Sequence, residues 1–183
     1  MSDIVHYDGF HGTSAEKAAG IIRDGFNEVN DETLYLGNGA YFFVEGISDP
    51  SEDALNFVTN VNPVDNPTVV VADIDTEKDC ILDLNTDCGL KIFNHVKKRF
   101  FSKRIEDNER MSRKDIDDGK IINFIVGEKI FEPEVKIVLS QRTLSLNKEE
   151  RELNLHSMVP NCIFCCVKNY SCISNERLFA NGE

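Results

Sequence analysis

The chain opens on alternating apolar and polar positions, "DIVHYDGFHGT", which predicts a short β-strand ending at Gly12-Thr13-Ser14. Ser14 or Thr13 can cap the helix that follows, predicted over Ala15–Asp24. Its apolar face is Ala15, Ala18, Ala19, Ile21 and Ile22, and Gly25 ends it. After a polar loop, "LYLGNGAYFFVEG" sets Leu34, Leu36, Tyr41, Phe42 and Phe43 around Gly37-Asn38-Gly39, a strand broken by a sharp turn. "DPSEDALNFVTNV" predicts a second helix, with Asp49 or Ser51 near its start. In "NPTVVVADID", Val69, Val70 and Val71 run together, the mark of a strand covered on both faces. "ILDLN" predicts another short strand, and residues 87–104 and 115–127 predict helices, the latter with Ile116, Ile121, Ile122, Phe124 and Ile125 at helical spacing. "PEVKIVLSQRTLSL" alternates again: Val135, Ile137 and Leu139 on one face, Glu134, Lys136 and Val138 on the other. This irregular order of strands and helices predicts an α+β fold rather than a repeating βαβ chain.

Composition narrows the picture. At 183 residues and 41% hydrophobic, the chain has the length and core material of one ordinary domain. No apolar run approaches the roughly 20 residues of a membrane span, and the first ten residues lack a basic-then-apolar leader pattern, so the expected compartment is the cytoplasm. The net charge of −12 opposes nucleic-acid phosphates except where bases cluster, in "HVKKRFFSKR" at residues 95–104. That segment reads as a solvated helix face or as a contact for an anionic partner. Four of the six cysteines crowd "NCIFCCVKNYSC", with His156 nearby. The spacing is poor for zinc, so free thiols are expected and no metal site is assigned.

His11 stands at the exit of the first strand beside bare glycine backbone, and Tyr41 follows Gly37-x-Gly39. A histidine, an open backbone and an aromatic face suit a flat amide-bearing heterocycle attached to a sugar. Each residue alone also has an ordinary reading: a histidine satisfied by its neighbours, a tyrosine of core or rim.

"FHGTSAEKAAGIIRDGF" and "LGNGAYFF" together resemble the amino-terminal half of the poly(ADP-ribose) polymerase-like ADP-ribosyltransferases. In that family His-Gly-Ser/Thr precedes a helix ending in Gly-Phe or Gly-Leu, and Gly-x-Gly-x-Tyr-Phe comes next. The resemblance covers residues 10–43. It implies an ADP-ribosyltransferase-like split antiparallel β-sheet core with flanking helices, and NAD as substrate. His11 would bond the nicotinamide ribose, Gly12 would clamp the carboxamide with Thr13 beside it, Tyr41 would stack on nicotinamide, and Phe57 would supply a second aromatic.

The family also carries an acid at the start of a late strand. Glu134 is assigned that role, since a fixed carboxylate would stabilise the oxocarbenium-like sugar as nicotinamide leaves. Glu132 is the runner-up, with Gln141 and Glu128 behind it, and an exposed strand-end glutamate is the plain alternative for Glu134. Residues 1–146 are thus expected to form the transferase-like domain, and residues 147–183 a charged, then cysteine-rich, extension. The implied activity is cleavage of NAD with transfer of ADP-ribose to a macromolecular acceptor, protein first, nucleic acid through residues 95–104. Hydrolysis of NAD, or non-catalytic binding of NAD or ADP-ribose, are the alternatives.

Overall fold

The computed structural model describes residues 3–27, 35–107, 118–154 and 157–180. The opening alternation forms β1, Ile4–Ser14, and runs directly into α1, Ala15–Asp24. Ser14 caps α1 by accepting from the Lys17 amide at 3.3 Å, and Gly25 ends it at φ 80° with its N–H on the Ile21 carbonyl. Then come β2 (Ala40–Phe43) and α2 (Pro50–Asn56), which continues as a π turn over Phe57–Val61. Asp49 caps α2, accepting from the Ser51 amide at 2.9 Å, with Pro50 in the first turn. The remaining elements are β3 (Pro67–Glu77), β4 (Ile81–Asp83), α3 (Asp87–Glu106), α4 (Asp118–Gly127), β5 (Ile137–Arg142), α5 (Lys148–Glu152), β6 (Cys162–Val167) and β7 (Ile173–Leu178). Residues 115–117 of the expected fourth helix, and Leu34, lie outside the described residues.

The fold is α+β, and the seven strands form one mixed sheet in the order β4-β5-β6-β2-β1-β3-β7. β4 and β5 are parallel and every other pair is antiparallel, so the expected split antiparallel core is corrected to a single mixed sheet. The sheet is nevertheless weakly joined at its middle. β1 and β3 pair over eleven positions, whereas β1 and β2 share the single pair Phe10↔Phe43. Beyond that pair β1 and β2 separate.

The boundary expected at residue 146 is not what the chain adopts. β6 lies between β5 and β2, matched to β5 from Ile137↔Val167 to Arg142↔Cys162 and to β2 from Ala40↔Val167 to Phe43↔Phe164. β7 closes the opposite edge against β3. The tail therefore supplies an interior strand and one edge of the sheet, and its apolar "CIFCCV" is buried because alternate residues enter the cores on the two faces. Phe164, Cys162 and Cys166 join the core under α3 and α4, with Phe93, Val96, Ile121 and Ile122. Cys165 and Val167 join the core of the opposite face, with Phe42, Ile74 and Ile137.

The alternation read in β5 begins later and means less than expected. The strand starts at Ile137, so Glu134 precedes it in a loop. Val138, on the opposite face from Ile137 and Leu139, is as fully buried as they are, because the strand is covered on both sides. All six cysteines are free thiols, and five of them are buried. Among the described residues no cysteine belongs to a grouping with metal-ligand reach, and His156 lies outside them. No described helix is long and apolar enough to cross a membrane. The basic stretch 95–104 is the second half of α3: Val96 and Phe100 are buried, Lys98 and Arg99 face solvent, and Lys103 pairs with Glu128 at 3.1 Å.

Candidate functional site

A cavity of about 610 Å³ opens where β1 and β2 part. His11, Gly12 and Thr13 line it from β1, and Ala40, Tyr41, Phe42 and Phe43 from β2. Lys17, Gly20 and Ile21 come from α1, Phe57 and Val58 from the π turn, and Phe26, Tyr35 and Phe164 complete an aromatic wall. Five of the residues expected at a ligand site, His11, Gly12, Thr13, Tyr41 and Phe57, thus meet in one place. A volume of this size and an apolar lining with few polar groups are typical of small-molecule sites.

His11 bridges the cleft. Its Nδ1 lies 2.8 Å from the Tyr41 carbonyl oxygen, taking an acceptor that a continued strand ladder would have used. Because a carbonyl only accepts, Nδ1 carries the proton in the neutral ring, and Nε2 is left with its lone pair. Among the described residues Nε2 has no hydrogen-bond partner. Phe26 and Phe42 meet the ring edge-on at 5.2 and 6.0 Å. Burial is the largest influence on the imidazole and holds its pKa below the ordinary 6.5; the Tyr41 carbonyl pulls upward and the Lys17 charge pushes down further. The site therefore presents a neutral histidine at pH 7, with an acceptor nitrogen suited to a hydroxyl donor.

Tyr41 is held from its far end. Its hydroxyl donates to the Gly37 carbonyl at 2.7 Å and accepts from the Leu36 amide at 2.7 Å, and burial raises its pKa well above the usual phenol value. Lys168 donates to the Leu36 and Asn38 carbonyls of the same loop, and Asn123 of α4 accepts from the Asn38 amide at 2.8 Å. The Gly-x-Gly spacing serves this packing. Gly37 has φ +75°, and a Cβ there would lie 2.1 Å from Asn123 Oδ1; Gly39 has φ +147°, and a Cβ would lie 2.6 Å from the Val167 carbonyl oxygen. Tyr41→Phe is expected to strand a buried amide and carbonyl and to lower stability by about 1–3 kcal/mol. Urea unfolding checks this, and an unchanged midpoint would mean that Lys168 and Asn123 hold the loop without the phenol.

The acid assigned from sequence is elsewhere. Glu134 and Glu132 are exposed in the loop before β5, and neither lines the cavity. β6 stands between β5 and the strand of Tyr41, a separation of roughly 10 Å across the sheet. Gln141 is exposed on β5, and Glu128 is engaged by Lys103. No aspartate or glutamate belongs to the cavity lining among the described residues. Asp53 is the one buried carboxylate described; Ser48 is bonded both to it and to the Asn161 carbonyl, which ties α2 to the start of β6. Positive charge is nearer. Lys17 lines the cavity, and the Arg142 guanidinium lies 5.9 Å from the Tyr35 ring and donates to the Tyr35 carbonyl at 3.4 Å.

Sequence reasoning missed Phe26, Tyr35, Phe164 and Lys17. Phe26 could have been found, since it follows the helix-ending Gly25 next to the His11 motif. Phe164 could not, because its place depends on β6 entering the sheet beside β2. No protein-family model, curated protein or solved structure matches the chain.

Proposed function

We propose that the cleft between β1 and β2 binds NAD or a ligand bearing ADP-ribose, and that the chain acts as a binding module of the ADP-ribosyltransferase-like kind. One observation carries this: His11 and Tyr41, from two motifs thirty residues apart, converge on one aromatic cavity with His11 Nε2 unpaired. The imidazole would accept from a ribose hydroxyl, the aromatic wall would stack on nicotinamide, and Gly12 would offer backbone to the carboxamide. Cleavage asks for more. A departing nicotinamide leaves a cationic sugar, and a preorganised negative charge is what stabilises it. The described lining holds none, which favours binding over turnover.

NAD cleavage with transfer of ADP-ribose to a protein acceptor is the second proposal, favoured by the order and spacing of the two motifs in residues 10–43. Labelled NAD incubated with the chain, with and without cell lysate, separates the two. Saturable binding without nicotinamide release is the expected result. Release accompanied by labelled protein would establish transfer, release alone hydrolysis, and no binding would end both.

Two variants sharpen the test. His11→Ala is expected to weaken NAD by about tenfold or more, since it removes a hydrogen bond and opens the cleft. Glu134→Gln is expected to leave the calorimetric affinity unchanged, and a loss there would place the glutamate in the site. The affinity should also be flat from pH 8 to 6.5 and fall at lower pH. The folded pKa of His11 lies below 6.5, so its acceptor persists until the pH drops through that depressed value, where Nε2 gains a proton. Lys17 opposes that protonation, and the Tyr41 phenol stays neutral throughout. Affinity that rises on acidification would exclude His11 as an acceptor.

A further inference from the structure

Lys17 stands out in a chain of net charge −12: it lines the aromatic cavity close enough to His11 for its charge to act on the imidazole, and no carboxylate shares that lining among the described residues. Its helical neighbours at three and four residues are Ser14, Gly20, Thr13 and Ile21, so α1 gives it no acid to pair with. Its backbone amide donates to the Ser14 hydroxyl, and among the described residues the ammonium has no hydrogen-bond or ion-pair partner. With Ser14 as its cap, α1 starts at Ala15, and this places residue 17 in the first turn, beside His11 at the cleft. A lysine held beside apolar rings in a largely acidic protein creates a local positive potential, and in a partly enclosed cleft that potential selects for anions.

We propose that Lys17 reads the charge of the ligand, taking a phosphate of a nucleotide whose ribose is bonded by His11, so that the site selects a phosphorylated dinucleotide over the bare nucleoside. This rests on the NAD-type reading of the cavity and adds the feature that the same cleft discriminates by phosphate. The aromatic wall and His11 serve the base and sugar, which nucleoside and nucleotide share. Lys17 is the lining residue that distinguishes them.

The test titrates the full chain calorimetrically with NAD, ADP-ribose and nicotinamide riboside, for wild type, Lys17→Met and Lys17→Arg. Lys17→Met should weaken NAD and ADP-ribose by about tenfold, as expected for a hydrogen bond to a charged group, and leave the riboside within about twofold. Lys17→Arg should restore most of the loss, and the wild-type preference for NAD over the riboside should shrink as salt rises. In Lys17→Met the His11 imidazole should titrate at higher pH than in wild type, because a neighbouring positive charge has gone; ring-proton NMR reads this, and a purely structural effect would not produce it. Lys17 is exposed, so the unfolding midpoint of Lys17→Met should match wild type. Equal losses for riboside and dinucleotide, or no loss for either, would overturn the assignment of Lys17 while leaving the NAD reading intact. Wild type binding none of the three compounds would overturn both.

Discussion

Truncation after Leu146 is expected to leave a chain that does not fold. The removed residues include β6, an interior strand of the sheet, and β7, which closes one edge. Cys162, Cys165, Cys166 and Val167 are fully buried, and Phe164 nearly so. Without β6, β5 and β2 would face each other across roughly 10 Å, twice the spacing at which strands can bond. Both would expose unpaired backbone and the apolar side chains of two cores. The cavity would lose Phe164, the Tyr41 loop would lose Lys168, and the anchor between Ser48 and Asn161 would go. Far-UV circular dichroism and urea unfolding of residues 1–146 check this. A cooperative transition with native-like signal would show that residues 1–146 form a domain after all. Milder deletions should separate the contributions: removal of β7 alone, an edge strand half exposed along its length, should cost stability without abolishing the fold.

Gly12→Ala is expected to be the most damaging single substitution at the site. A Cβ at this position would lie 2.0 Å from the Ala54 carbonyl oxygen, 2.9 Å from its carbon and 3.0 Å from Val58 Cγ1. The first two are backbone atoms of α2, so no side-chain rotation relieves the clash and the helix itself has to move off β1. Overpacking of this kind costs about 1–3 kcal/mol and sometimes more, which for a domain of this length lowers the melting temperature by several degrees. Ligand binding should fail with it, because α2 leads into the π turn that carries Phe57 and Val58 to the cavity. Gly127→Ala is the control: a Cβ there meets nothing within 4 Å, and the helix-forming residue should be neutral or stabilising. Thermal unfolding and NAD titration of both variants check the pair. A Gly12→Ala protein as stable as wild type would mean that α2 can move off β1 at no cost. The family resemblance implies a Gly12 backbone kept bare for a carboxamide. Close packing of α2 on β1 already requires a glycine there, so its identity alone says little about a ligand.

The two glycines of Gly37-Asn38-Gly39 teach the same lesson. From sequence they suggested backbone drawn close to a ligand, and Gly39 does line the cavity. Their conformation is nevertheless demanded by protein neighbours, Asn123 for one and β6 for the other. His11 and Tyr41 were legible because each ends or begins a strand next to a conspicuous turn, and the two strands happen to be neighbours in the sheet. Glu134 was misplaced because an alternating pattern marks a strand but not its position in a sheet. Alternation from Val135 to Leu139 would look the same whether β5 lay beside β2 or two strands away.

What the sequence by itself determined were the local elements. Strand and helix periods, the Ser14 and Asp49 caps, the stop at Gly25 and the both-faces-buried run at Val69–Val71 all depend on interactions within a few residues, and those interactions are written in adjacent letters. Tertiary structure decided the rest: that β6 rather than β5 borders Tyr41, that the cysteine-rich tail is core rather than extension, and that Lys17 and Phe164 share a cavity with His11 while Glu134 does not. Each of these is a contact between residues far apart in the chain. Strand order is set by which apolar faces can be buried together over the whole sheet, and no short stretch of sequence carries that balance.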